Sequence, residues 1–205
     1  LSDGRLVTVN QGGVQETLVS GLGANFQTVF AEGANAAADK RLLCFNGNDA
    51  VRVTRGTAAT TATIANPAAD WTGTNQPTGG VLHNNRMFAF GNANDQHRLY
   101  YTPTTNHEDF TGAGSGSLPI HAGEGERIVA GFSLYGRLFI FKFPFGIYWL
   151  DDSSVTVANW VIRRLTNRVG MTGPLGITGI EGDAAFWGSD GLVHILSGVQ
   201  ELGDA

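Results

Sequence analysis

One short pattern recurs along this chain and limits what it can fold into. It is a polar turn followed by four or five apolar, β-branched or aromatic residues. Its strongest copy lies in residues 126–152, ERIVAGFSLYGRLFIFKFPFGIYWLDD. Ile128, Ala130 and Phe132 alternate, Tyr135-Gly136-Arg137 turns the chain, and Leu138-Phe139-Ile140-Phe141 reads as a buried strand. Pro144 and Gly146 then separate it from Ile147-Tyr148-Trp149-Leu150. Short runs of this composition, bounded by Gly and Pro, are the mark of antiparallel sheet.

Four more copies align on the same turn-plus-strand core. They are Asp3-Gly4-Arg5-Leu6-Val7-Thr8-Val9 with the turn Gln11-Gly12-Gly13, and Asp39-Lys40-Arg41-Leu42-Leu43-Cys44-Phe45 with the turn Asn46-Gly47-Asn48-Asp49. The others are Asn84-Asn85-Arg86-Met87-Phe88-Ala89-Phe90, and Gly182-Asp183-Ala184-Ala185-Phe186-Trp187 with the turn Gly188-Ser189-Asp190-Gly191. Arg5, Arg41, Arg86, Arg137 and Ala184 are spaced by 36, 45, 51 and 47 residues. A further strand precedes most units: Phe26-Gln27-Thr28-Val29-Phe30, Gly80-Val81-Leu82-His83, Ile128 to Phe132, and Ile177-Thr178-Gly179-Ile180. The spacing lies near the ~40–50 residues of a four-stranded propeller blade, a unit that buries both faces only by stacking around an axis. The expectation is an all-β chain: a β-propeller of about five blade-like units, one domain or partial propeller over residues 1–205. No helix is expected, and the alanine-rich 34–38 reads as a loop between Gly33 and Asp39.

Composition narrows the function classes. The 29 glycines suit a chain made of turns between short strands, and a net charge of −5 argues against generic nucleic-acid binding, which needs a clustered positive excess. The longest apolar candidate for a membrane span, 138–150, is broken by Lys142, Pro144 and Gly146. The chain begins with Leu1 and ends near Gly198-Val199-Gln200-Glu201-Leu202-Gly203, where another strand would start, so a fragment of a longer protein is expected. The single cysteine, Cys44, sits in an apolar run and reads as a small buried residue.

Chemical motifs are weak throughout. Gly112-Ala113-Gly114-Ser115-Gly116-Ser117 lacks the Lys-Ser/Thr ending of a phosphate loop and reads as linker. His83, His97, His107, His121 and His194 show no metal spacing, and His194 is expected on the polar face of its strand. The acid pairs Glu108-Asp109 and Asp151-Asp152 point to opposite faces if extended, which disfavours a shared catalytic role. Asn46-Gly47-Asn48-Asp49 lacks the acid-dense loop and distal Glu of a calcium site and reads as a turn. Arg163, Arg164 and Arg168 form a basic cluster that faces nucleic acid or, the favoured reading, an acidic neighbour such as Asp151-Asp152 or a subunit interface. Residues 56–80 and 102–125 break the hairpin pattern and are expected as long inter-blade excursions that contact a neighbouring subunit. With their aromatic residues Trp71 and Phe110, the three arginines are the candidate interface or channel contacts. No catalytic residue, cofactor or metal is assigned.

Leu82-His83-Asn84-Asn85-Arg86-Met87-Phe88-Ala89-Phe90-Gly91, then Arg98-Leu99-Tyr100-Tyr101-Thr102, then Glu108-Asp109-Phe110, resembles a segment of the propeller-bearing nozzle and tail-hub (tail tubular) proteins of short-tailed bacteriophages. Ile128-Val129-Ala130-Gly131-Phe132 with its two following strands resembles the next blade of that family, and Gly170-Met171-Thr172 to Ile195 the one after. The resemblance covers residues 80–197. It implies a structural virion protein, made in the host cytoplasm and built into the tail. It implies a ring of identical subunits, commonly sixfold, around the DNA-ejection channel and beside neighbouring adaptor and tail proteins. DNA would pass without specific binding, which an acidic wall favours. It implies no catalysis, cofactor, membrane or small-molecule substrate. The competing readings are a carbohydrate-binding or glycan-cleaving propeller, with clustered aromatics and carboxylates in a funnel, and a generic protein-interaction propeller.

Overall fold

The computed structural model describes residues 3–9, 11–54, 61–121 and 125–200; the expectations placed on Leu1 and on residues 201–203 fall outside them. Strands dominate, and every sheet is an antiparallel meander. A hairpin, β1 (Leu6–Val9) and β2 (Gln15–Val19), comes first. Blade 1 is β3 (Val29–Ala34), β4 (Lys40–Phe45), β5 (Arg52–Thr54) and β6 (Ala62–Thr63). Blade 2 is β7 (Gly79–His83), β8 (Arg86–Phe90), β9 (Arg98–Tyr101) and β10 (Gly116–Pro119). Blade 3 is β11 (Arg127–Leu134), β12 (Arg137–Phe143), β13 (Ile147–Asp151) and β14 (Val161–Thr166). Blade 4 is β15 (Ile177–Ile180), β16 (Asp183–Trp187) and β17 (Val193–Ile195). One five-residue helix, α1 (Leu196–Gln200), follows.

Four small sheets are thus arranged as a four-bladed β-propeller. The first of the five expected units is a two-stranded hairpin and not a blade. The innermost strands are β3, β7, β11 and β15, and β7 packs against both β3 and β11. The recurring turn joins the first strand of a blade to the second. At Asn84-Asn85, Tyr135-Gly136 and Glu181-Gly182 both central residues have positive φ, the primed form whose twist matches the flanking strands. In blade 1 the loop is longer, and Asn35 Oδ1 accepts from the Ala37 and Asp39 amides.

The period-2 alternation gives each blade two apolar faces, and three cores result. Leu43, Phe45 and Val53 of blade 1 meet Met87, Ala89 and Tyr100 of blade 2. The opposite face of blade 2, with Phe88, Phe90 and Leu99, meets Leu138, Ile140 and Tyr148 of blade 3. Phe141 and Ile147, on the far side of blade 3, meet Ala184 and Phe186 of blade 4. Full burial of each such side chain contributes about 1.5–3 kcal/mol. Gly80 lets blades 1 and 2 close up: a Cβ there would lie 2.4 Å from the Phe45 ring.

The two long connections differ from their sequence reading. They carry the outermost strands, β6 and β10, and they pair with each other: the Phe110 amide donates to the Asn66 carbonyl at 2.9 Å. Trp71 and Phe110 are both buried in the first core, with ring centroids 4.6 Å apart. These two rings therefore pack inside this chain and do not face a neighbour. An exposed indole or phenyl would forgo the burial that holds the loops down.

Candidate functional site

The four blades converge on one cavity. The segments entering the innermost strands supply Phe26 and Gln27, Thr78, Arg127 and Ile128, and Thr172 to Pro174; the turns after β4 and β8 add Asn46, Gly91 and Gln96. The cavity holds ≈ 470 Å³, a size suited to a small molecule. Its lining offers three side-chain amides, two hydroxyls and one guanidinium, with Phe26 as its aromatic residue. Arg127 stacks over Phe143 at 4.8 Å, which leaves its N–H groups available at the rim. Gly91 is required here: its φ is +80°, and a Cβ would collide with Thr78 Oγ1 at 1.9 Å. The arrangement can hydrogen-bond a polar solute. The sequence signalled none of it, because the contributors come from six short segments spread over all four blades.

A second cluster joins blades 2 and 3. His83, buried at the end of β7, has Nδ1 2.7 Å from Ser133 Oγ and Nε2 3.2 Å from Asp152 Oδ1. Asn84 Nδ2 donates to the same oxygen at 2.8 Å. A carboxylate only accepts, so Nε2 carries the proton toward Asp152 and Nδ1 accepts from Ser133. The order is serine, histidine, carboxylate, which is that of a nucleophile chain. Here all three groups bridge β7 to blade 3, and the imidazole is enclosed, so the cluster acts as a clamp between blades. Asp151 points the other way, as expected from adjacency. The Ser153 hydroxyl and amide, then Arg163 and Arg137, hold its carboxyl below the usual range.

Elsewhere the candidate residues resolve one by one. The basic cluster is split: Arg163 stacks on Trp149 at 5.6 Å and Arg164 on Tyr148 at 5.5 Å, on opposite faces of β14, and Arg168 is exposed beyond it. Glu108 pairs with the buried Arg41 at 2.8 Å, and Asp109 accepts from the Thr111 and Gly112 amides. The Asn46–Asp49 turn closes on itself: Asn46 Oδ1 accepts from the Asn48 and Asp49 amides, and Asp49 also takes the Gly23 amide. His194 stacks half-buried on Phe186 and bonds Asp190 across its hairpin turn, so it lies on the face toward blade 3 instead of a polar face. Cys44 is enclosed, and burial pushes its thiol up to about 12.

No protein-family model matches the chain, and no curated protein does. Among solved structures it is similar to the computationally designed Ika4 protein, at 10% identity with a TM-score of 0.52, over 87% of this chain and 95% of that one. At that identity the likeness is one of fold alone, four small antiparallel sheets set as a propeller.

Proposed function

We propose that this chain is a structural virion protein of a phage tail, a nozzle or hub subunit that forms a ring lining the DNA-ejection channel. The observation that carries the reading is how the family-like pattern is wired. Its arginine, Arg86, donates from Nη1 to the Thr102 carbonyl at 2.6 Å and to the Gly114 carbonyl at 2.8 Å, and lies 5.8 Å over Tyr101. Thr102 in turn accepts from the Met87 amide at 2.9 Å, and Phe110 anchors the long loop in the core. The three short sequence pieces thus form one blade module, and similar pieces follow in the same order on blades 3 and 4.

The action of such a subunit is mechanical. A chain of net charge −5 gains no counterion-release affinity for DNA, so DNA slides past without being held. Arg163 and Arg164 of β14 and Arg168 beyond it, all exposed, are the contacts to neighbouring subunits or adaptor proteins. Immunogold electron microscopy with antibody to this chain tests the reading. Gold at one pole of tailed particles is expected; gold on cell envelopes, or on no particle, would overturn it.

The amide-lined axial cavity favours a second reading, a glycan-binding propeller. Its test is a glycan array, with binding lost in Gln96→Ala.

A further inference from the structure

The axial cavity is lined by amides and hydroxyls, yet it carries a charge of one sign only. Among the described residues its lining holds one charged side chain, Arg127, and no carboxylate. Arg127 stands at the first position of β11, opposite Phe143 of β12, and its guanidinium lies 4.8 Å over that ring. Stacking on the flat face holds the guanidinium in place and leaves its N–H fork directed outward in the plane, the geometry that takes a carboxylate bidentately. Arg127 is exposed, and among the described residues no acid pairs with it.

The acids beside the lining in the chain are turned to other partners. Glu126 pairs with Lys142 at 3.0 Å and Asp95 with Arg98 at 2.5 Å, while Asp49 accepts from Asn46 Nδ2 at 2.7 Å and from the Gly23 amide at 2.8 Å. The net charge of −5 does not cancel a contact pair here, because exposed charges more than about 8 Å away are screened at physiological salt. An anion entering the cavity meets a cation and no opposing carboxylate. The remaining groups select what that anion carries. The Gln27 side chain makes no hydrogen bond within the described residues, and Gln96 has one long bond, to the Ala93 carbonyl at 3.4 Å. Thr172 is exposed at the same cavity. Amides and hydroxyls each donate and accept, which suits a ring bearing hydroxyls better than an apolar acid.

We propose that the axial cavity binds a sugar acid, with its carboxylate on the Arg127 fork and its ring hydroxyls on Gln27, Gln96 and Thr172. The inference rests on the glycan reading of this cavity and narrows it; it is independent of the tail reading. A free uronate and the acidic end of a glycan share this chemistry.

Isothermal titration calorimetry on the full chain with glucuronate, glucose and acetate tests it. Glucuronate should bind about tenfold or more tighter than glucose, as a charge-assisted hydrogen bond confers. Acetate, which has the carboxylate without the hydroxyls, should not bind measurably. Added salt should narrow the preference for glucuronate. Arg127→Gln should bring the ratio to about one, and Arg127→Lys, which keeps the charge without the fork, should restore only part of it. The side chain is exposed, so both variants should keep the parent's far-UV spectrum. An oligosaccharide ending in glucuronate, titrated beside the free acid, names the source: the tighter of the two is the natural form. Glucose binding as tightly as glucuronate overturns the inference and leaves the glycan reading standing. Acetate binding as tightly as glucuronate overturns it as a bare anion site. A preference that survives Arg127→Gln overturns it too. If no sugar binds, neutral or acidic, the glycan reading falls with it, so the two fail distinguishably.

Discussion

Lys142 sits one residue from the end of β12 with no exposed surface, which makes it the sharpest point at which to test the packing argument. Its Nζ donates to the Ile120 carbonyl at 3.1 Å, to the His121 carbonyl at 3.1 Å and to Glu126 Oε2 at 3.0 Å. It also lies 5.5 Å over the Tyr148 ring. The ammonium thus pins both ends of the link between β10 and β11, the passage from blade 2 to blade 3. Methionine matches the volume of the lysine stem, so Lys142→Met opens little cavity and isolates the polar loss. Two carbonyls lose a charged donor, and Glu126, only 13% exposed, loses its counter-charge. Breaking a buried pair from one side costs about 3–5 kcal/mol, and the orphaned carbonyls are part of that sum. For a domain of this size the loss corresponds to a melting-temperature drop of roughly 6–20 °C. Urea unfolding of the variant measures it, and hydrogen exchange should show the amides of Ile120 and Ile128, bonded to the His97 and Gln96 carbonyls, losing protection first. Glu126→Gln keeps an acceptor and should cost only about 1 kcal/mol. Combined with Lys142→Met it should cost less than the sum. If Lys142→Met unfolds within about 0.5 kcal/mol of the parent, as a surface change would, the three contacts do not hold this link.

Four other outcomes follow from the same geometry. His83→Ala leaves Asp152 and Ser133 without their shared partner and should cost about 2–4 kcal/mol by urea unfolding, while Asp151→Ala, on the exposed side, should change little. Phe186→Ala removes the centre of the third core and should cost about 3–5 kcal/mol, with exchange protection lost in blade 4 before blades 1 and 2. Gly80→Ala pushes a methyl into the Phe45 ring and should cost about 1–3 kcal/mol, an overpacking effect readable in the melting temperature. Alkaline pH should destabilise the fold between about pH 9 and about 12, because the Cys44 thiol ionises first in the unfolded chain and the folded chain keeps its proton. Stability is fully present below that window, and Cys44→Ala should flatten the slope. Part of the slope should remain, since burial, then the bond to Asp70, also raises Tyr100.

The amino-acid sequence by itself determined the class of fold and its repeat. Alternating apolar residues between Asn, Asp and Gly turns leave a chain few choices besides short antiparallel strands, and a regular spacing of such units forces them to stack. That is why Asn84-Asn85 and Tyr135-Gly136 could be read as turns, Leu138 to Phe141 as a buried strand and Cys44 as enclosed. Strand limits were less legible: β3 starts at Val29, not Phe26, and runs on through Glu32 and Gly33, because pairing with β4 overrides weak local preference.

Tertiary structure decided the rest, wherever the outcome depends on partners distant in the chain. Trp71 and Phe110 lie in polar, turn-rich stretches that look like surface loops, and only the meeting of those stretches along the outer edges of blades 1 and 2 puts both rings in one core. Adjacent arginines in a strand look like one basic patch, and the pleat sends Arg163 and Arg164 to different blade faces. The His83 clamp unites residues 50 and 69 positions apart from His83, and the axial cavity draws on all four blades. Two-residue periodicity says that a strand has two faces. It does not say which of them another blade will cover.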